Sequence, residues 1–232
     1  MTSQSTIADV SCARHTASHR GHTSLPTVAL MALFRCYIGT PSVTGREHVP
    51  PGPFVICANH RSHLDSLALI CGLGLANGCA LLGARDYFVE GGPLRRLLAS
   101  PFTIIAVERQ RPGVAMLGTI HAAAAFFRDG GRVLIAFPEG SRQAGTAIAH
   151  FKRGIATLAL TLGLPVLPVF IDGTERLLAK GRHIPLPGRI RLRLGPVIPP
   201  EPRPCGATWR AGSRRLIRDI EASVRGLADA GC

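Results

Sequence analysis

The chain has 232 residues, 46% of them hydrophobic and 18% charged, an ordinary globular composition long enough to bury one sizeable core. Its 27 Lys and Arg against 14 Asp and Glu give a net charge of +13, a field that draws anionic partners such as nucleic acid, anionic lipid head groups or phosphorylated small molecules. Aromatic residues make up only 5%, without basic–aromatic alternation, which argues against a stacking platform for nucleic acid. The seven cysteines are an odd number and contain no Cys-x-x-Cys pair, so neither a fully paired disulfide set nor a zinc framework is supported. Cys57, Cys71 and Cys79 lie in apolar stretches and read as small core residues of a reducing compartment.

Residues 1–24 are polar, lack an apolar signal region and read as a disordered lead-in to a single domain over 25–232. Residues 28–38 are too short to span a membrane and carry Arg35. They fit an interfacial helix or a core helix, with 25–40 as the stretch available for membrane contact. Four prolines and two glycines make 41–53 a connector. An apolar run over 54–58 predicts a strand, 65–76 a helix and 79–83 a second strand. The Asn77-Gly78 turn divides what would otherwise resemble a span. A short helix is expected over 93–99, a β-branched strand over 102–107 and an Ala-rich helix over 114–128, stopped by Gly130-Gly131. Then come a strand over 132–137, a helix over 151–162 closed by Gly163, and a strand over 166–171. Residues 189–194 alternate arginine with Ile190, Leu192 and Leu194, a half-exposed strand, and 209–228 form an amphipathic last helix. Strands alternating with helices predict an α/β domain: a central mixed, mostly parallel sheet flanked by helices, with function on loops at strand ends.

The densest chemistry is Asn59-His60-Arg61-Ser62-His63-Leu64-Asp65, between the first apolar strand and its helix. Asp65, in the first turn of that helix, can reach an imidazole nitrogen of His60, fix its tautomer and leave the other nitrogen as a general base. Ser62-x-x-Asp65 is equally a capping box, in which Asp65 only bonds the helix end and His60 is an ordinary loop residue. His60, His63 and Asp65 also offer metal-ligand types. They lack the i, i+4 spacing of a metalloprotease helix, and no second ligand cluster accompanies them. Two further loops carry anion-binding chemistry. Phe137-Pro138-Glu139-Gly140-Ser141-Arg142 follows a strand, with glycine for a tight turn and Ser and Arg as donors. Arg109 follows another strand, and Lys152-Arg153 adds charge at a helix start. Each alone is matched by a plain solvated turn. Gly72-Leu73-Gly74 follows a helix rather than a strand and is no dinucleotide fingerprint; a Gly-x-Ser-x-Gly elbow and a phosphate loop are absent.

Taken in order, these blocks resemble the glycerolipid acyltransferase family that includes the 1-acylglycerol-3-phosphate acyltransferases. Asn59-His60 followed by Asp65 is similar to its His-x4-Asp block and Glu108-Arg109 to the second. Phe137 to Arg142 is similar to the third, with Ser141 where threonine is usual, and Leu167-Pro168-Val169 to the fourth. Pro101-Phe102 stands where the second block usually opens with glycine. The resemblance implies a glycerol-3-phosphate acyltransferase-like fold and acyl transfer from acyl-CoA or acyl carrier protein to a lysophospholipid hydroxyl. It implies His60 as base and Asp65 as its orienting partner. Arg109, Glu139, Gly140, Ser141, Arg142 and Lys152 would bind the glycerophosphate, and Pro168 would shape the site. It implies no metal or redox cofactor. An anionic membrane surface would be the partner of a peripheral or monotopic protein on the cytoplasmic face. The acceptor expected first is 1-acylglycerol-3-phosphate; a runner-up keeps the reaction with another acceptor, such as a lyso-aminolipid, and a third reading is a non-catalytic module that binds membrane or nucleic acid.

Overall fold

A computed structural model describes residues 25–84, 103–107, 112–142, 147–178, 184–199 and 208–230. The three most apolar runs become the middle of the sheet. These are β2 (Phe54–Ala58), β5 (Val133–Ala136) and β6 (Val166–Asp172), buried on both faces as expected of parallel strands covered by helices. With β1 (Ser42–Thr44), β3 (Cys79–Ala84), β4 (Thr103–Val107) and β7 (Arg191–Leu194) they form one seven-stranded sheet, ordered β1-β7-β6-β2-β5-β3-β4. Every pairing is parallel except β6 with β7. The mixed, mostly parallel sheet read from the sequence is therefore the one present.

Helices cover both faces. On one side α1 (Leu25–Tyr37) and α2 (Leu64–Leu73) pack Met31, Phe34, Leu69 and Ile70 against Ile56, Ile135 and Leu167. On the other side lie α3 (Pro112–Arg128), α4 (Gly154–Leu162) and the last helix. They bury Ile120, Phe126, Leu158 and Ile220 against Val55, Leu134 and Phe170. Successive residues of a strand face opposite sides, which is why Val55 and Ile56 enter different clusters. A single turn, α5 (Thr174–Leu177), follows β6, and α6 (Thr208–Asp229) ends the described chain. Among the described residues no helix is long and apolar enough to cross a membrane.

Several boundaries differ from expectation for identifiable reasons. The connector over 41–53 contains β1 and a 3-10 turn at Arg46–His48, because Ser42–Thr44 pairs with the distant β7. Helix α2 stops at Leu73, earlier than expected, because Gly74 takes the left-handed conformation (φ 70°) and closes it. Residues 151–153 stay outside α4. The expected helix over 93–99 lies outside the described residues. Strand β7 alternates as read, with Leu192 and Leu194 buried, while Arg193 donates to the Leu227 carbonyl at 2.9 Å near the end of α6. Cys57 and Cys71 are buried free thiols, and burial pushes Cys71 up to about 11.

Candidate active site

Register brings the two principal loops together. Strand β2 pairs with β5 so that Cys57 lies opposite Ala136. Three residues beyond each partner stand His60 and Glu139, on adjacent loops at the carboxyl ends of two central strands. The backbone N–H of His60 donates to Glu139 Oε1 at 2.7 Å. On the other side of β2, Asn59 extends the pairing with β6 through its side chain. Its Nδ2 donates to the Ile171 carbonyl at 2.9 Å, and its Oδ1 accepts from the Ile171 N–H at 2.7 Å. His60 is thus held from both neighbouring strands before its ring makes any contact.

The ring is held as firmly. His60 Nδ1 lies 2.9 Å from Asp65 Oδ2, and the Phe137 ring stacks on the imidazole with centroids 4.2 Å apart and planes 18° from parallel. Asp65 is fully buried, whereas the His60 side chain keeps 20% of its surface exposed. A carboxylate only accepts, so Nδ1 carries the hydrogen and Nε2 holds the lone pair. The same Asp65 oxygen accepts from the N–H groups of Arg61 at 2.7 Å and Ser62 at 2.8 Å. The bond from Ser62 N–H is one half of a capping box; the Ser62 hydroxyl accepts instead from Leu64 N–H at 3.2 Å and donates to the Leu178 carbonyl. Orienting His60 and organising the helix start are therefore the work of one atom, and the two readings of Asp65 hold together.

The other Asp65 oxygen accepts from the hydroxyl of Thr174, a fully buried residue that no local motif singles out. Thr174 sits just after β6 because Gly173 turns the chain with φ 98°, at a point where a Cβ would run into the Arg189 carbonyl oxygen.

Glu139 lies behind His60. It is 3% exposed, and its second oxygen, Oε2, accepts from the Ala149 N–H at 3.1 Å. Burial pushes its carboxyl above the ordinary range, while the two backbone N–H groups and the nearby His60 and Arg61 pull the other way. Both oxygens are committed to backbone, an arrangement suited to supporting the base.

The remaining expected site residues sort by position. Gly140 makes the turn after Glu139 with φ 74°, and the Lys152 ammonium lies over it, 2.6 Å from where a Cβ would stand. Ser141 is exposed and Arg142 half-buried on the same loop, and the Lys152 N–H donates to the Pro138 carbonyl at 2.8 Å. Gly140 and Lys152 thus lie against each other, with Ser141 and Arg142 on the same loop, which Glu139 ties to the His60 backbone. Pro168 is apart from them, buried within β6 opposite Cys57. Arg109 lies outside the described residues. His63 is exposed at the start of α2.

An imidazole with a buried carboxylate on its Nδ1, and with Arg142 and Lys152 on the neighbouring loop segments, has the groups needed to deprotonate a hydroxyl near an anionic group. Residues 40–172 match the family model described as Acyltransferase. A 1-acyl-sn-glycerol-3-phosphate acyltransferase alpha from Mus musculus is 31% identical over 162 residues, 68% of this chain and 55% of its own length. A 1-acyl-sn-glycerol-3-phosphate acyltransferase from Pseudomonas aeruginosa is 29% identical over 157 residues, 67% of this chain and 58% of its own. The chain thus spans little more than half the length of these curated relatives. The crystal structure of the 1-acyl-sn-glycerophosphate (LPA) acyltransferase PlsC from Thermotoga maritima shares the fold. Its TM-score is 0.62 at 23% identity, over 88% of this chain and 80% of that one. The matched segment runs from the start of β1 to the end of β6 and contains His60, Asp65 and Glu139, and the chain belongs to the acyltransferase family.

Proposed function

We propose that this chain moves a fatty acyl group from a thioester, on CoA or acyl carrier protein, to the free hydroxyl of a lysophospholipid in phospholipid biosynthesis. The acceptor is 1-acylglycerol-3-phosphate and the product phosphatidic acid, a choice supported by the names of the relatives. The observation that carries the reading is the His60–Asp65 pair, with its 2.9 Å contact and buried carboxylate.

In this reaction Nε2 of His60 takes the hydroxyl proton as the oxygen attacks the thioester carbonyl. The imidazolium is stabilised by Asp65. The tetrahedral intermediate collapses, the carbon–sulfur bond breaks, and the thiolate leaves with the proton returned by His60. No acyl-enzyme forms and no cofactor is consumed. Arg142 and Lys152, joined by Arg109, hold the acceptor phosphate, with Gly140 and Ser141 as further donors. Glu139 contributes from behind, through the His60 backbone. The outer face of α1, with Leu25, Val28, Leu33 and Tyr37 exposed, rests on the cytoplasmic surface of an anionic membrane.

The test is acyl transfer from acyl-CoA and acyl carrier protein to a panel of lyso-lipids. Wild type should acylate 1-acylglycerol-3-phosphate, and His60→Ala should lose about 10²–10⁴-fold, the usual share of a general base. Asp65→Asn should fall with it. Full activity in His60→Ala would sink the mechanism. Preference for another lyso-lipid would keep the chemistry and change the acceptor, and vesicle binding without turnover would favour the non-catalytic module.

A further inference from the structure

Residues 147–152 run without regular structure into α4, yet they are stitched along both edges. Toward α6, the Phe151 N–H donates to Glu221 Oε2 at 3.0 Å, and the Ile148 carbonyl accepts from Arg225 Nη2 at 2.8 Å. Toward the catalytic loops, the Ala149 N–H donates to Glu139 Oε2 at 3.1 Å and the Lys152 N–H to the Pro138 carbonyl at 2.8 Å. Residues 148 and 151 therefore face the last helix, and 149 and 152 face the site. Ile148 and Phe151 also bury their side chains in the cluster that holds Leu216, Ile217 and Ile220 of α6.

Glu221 and Arg225 form a fork, with Arg225 Nε at 3.1 Å and Nη2 at 2.8 Å from Glu221 Oε1. An i, i+4 pair on an exposed helix face is worth little. This one is half-buried, and each partner also bonds the backbone of the segment. Burial raises the Glu221 carboxyl, but the Phe151 N–H and Arg225 outweigh it and hold it below the ordinary range. The exposed His150 ring lies 3.1 Å from the same Oε1. Glu221 and Arg225 both lie beyond the segment matched by the family model.

We propose that Glu221 and Arg225 are positioning residues for acyl transfer: they clamp residues 148–151, so that Ala149 fixes Glu139 and Glu139 fixes the backbone of His60. The relay runs from α6 to the base through three hydrogen-bonded steps, the first of them made by two bonds, and its second edge seats Lys152 over Gly140. This rests on the reaction proposed above.

Two readouts on the full chain separate the proposals. With oleoyl-CoA and 1-oleoylglycerol-3-phosphate, Glu221→Ala and Arg225→Ala should each lower kcat by about 10- to 100-fold, the range expected when a reacting group is displaced by a fraction of an ångström to one ångström. Glu221→Gln, which keeps an acceptor for the Phe151 N–H, should recover part of the loss. Glu221→Ala combined with Glu139→Gln should lower kcat by less than the product of the two single effects, because both act through the Ala149–Glu139 contact. Leu192→Ala, a buried truncation in the cluster on the other side of the sheet, should lower the melting temperature and spare kcat. The second readout needs no substrate: amide hydrogen exchange at Ala149, Lys152 and His60 should quicken in Glu221→Ala while β5 keeps its protection. Unchanged exchange at those three amides, or independent effects of Glu221→Ala and Glu139→Gln on kcat, overturns the relay. An inactive wild type with the exchange result intact would instead reject the reaction and keep the clamp. Should Glu221→Ala not fold, Glu221→Gln and Arg225→Ala carry both comparisons.

Discussion

Asp65 shows how one side chain can organise a helix start and hold an imidazole at once. Its Oδ2 takes three donors, all from the five residues that precede it, which is why the pair was legible in the sequence. Its Oδ1 takes Thr174, 109 residues away, and nothing local announces that contact. Thr174→Val keeps the shape and removes the hydroxyl, leaving a buried carboxylate oxygen short of a donor. We expect a loss of about 1–3 kcal/mol by urea denaturation together with a lower kcat. Thr174→Ser should restore both. The motif suggests Glu139 as a contact to the glycerophosphate; its bonds to the His60 and Ala149 N–H groups are not legible there, because a motif carries no orientation. Its raised carboxyl pKa sets the sign of a pH effect. Folded protein holds that proton more tightly than unfolded chain, so the contribution to stability is greatest below the ordinary 4.5 and is lost as pH rises through the raised value. Stability measured against Glu139→Gln should accordingly fall as pH rises through that window. A flat difference would count against the burial effect.

At the scale of elements, periodicity was sufficient for the fully apolar central strands and for the long amphipathic last helix. Strands β2, β5 and β6 and helix α6 fall within two residues of their expected bounds. It failed for β1, three residues among prolines whose pairing with β7 is a long-range event, and for the single turn α5. That turn nevertheless delivers Thr174, and Gly173 is its hinge. Gly173→Ala forces a Cβ into the left-handed region and against the Arg189 carbonyl. We expect destabilisation of about 1 kcal/mol or more and reduced turnover as Thr174 moves off Asp65, measured by thermal unfolding and acyl transfer together. Normal activity at reduced stability would mean that Thr174 keeps its place by other means.

The molecule as a whole combines a charge of +13 with an apolar outer face on α1. Attraction to an anionic surface is screened as the Debye length falls from about 8 Å at physiological salt to about 3 Å at molar salt, whereas apolar insertion is not. Sedimentation with phosphatidylglycerol vesicles should therefore weaken with salt but not vanish, and Leu33→Glu should remove the salt-resistant part. Binding to neutral vesicles as strong as to anionic ones would contradict the electrostatic share. The sheet register has a different consequence, for the lengths its loops can take. His60 and Glu139 meet because each stands the same number of residues past a paired strand position. One extra residue in either loop alone would carry the His60 N–H or the Glu139 carboxylate out of reach of the other while leaving every strand paired. Only compensating insertions in both loops would restore the meeting. Viable homologues and engineered variants should keep these two distances locked together, even where the rest of the chain drifts in length.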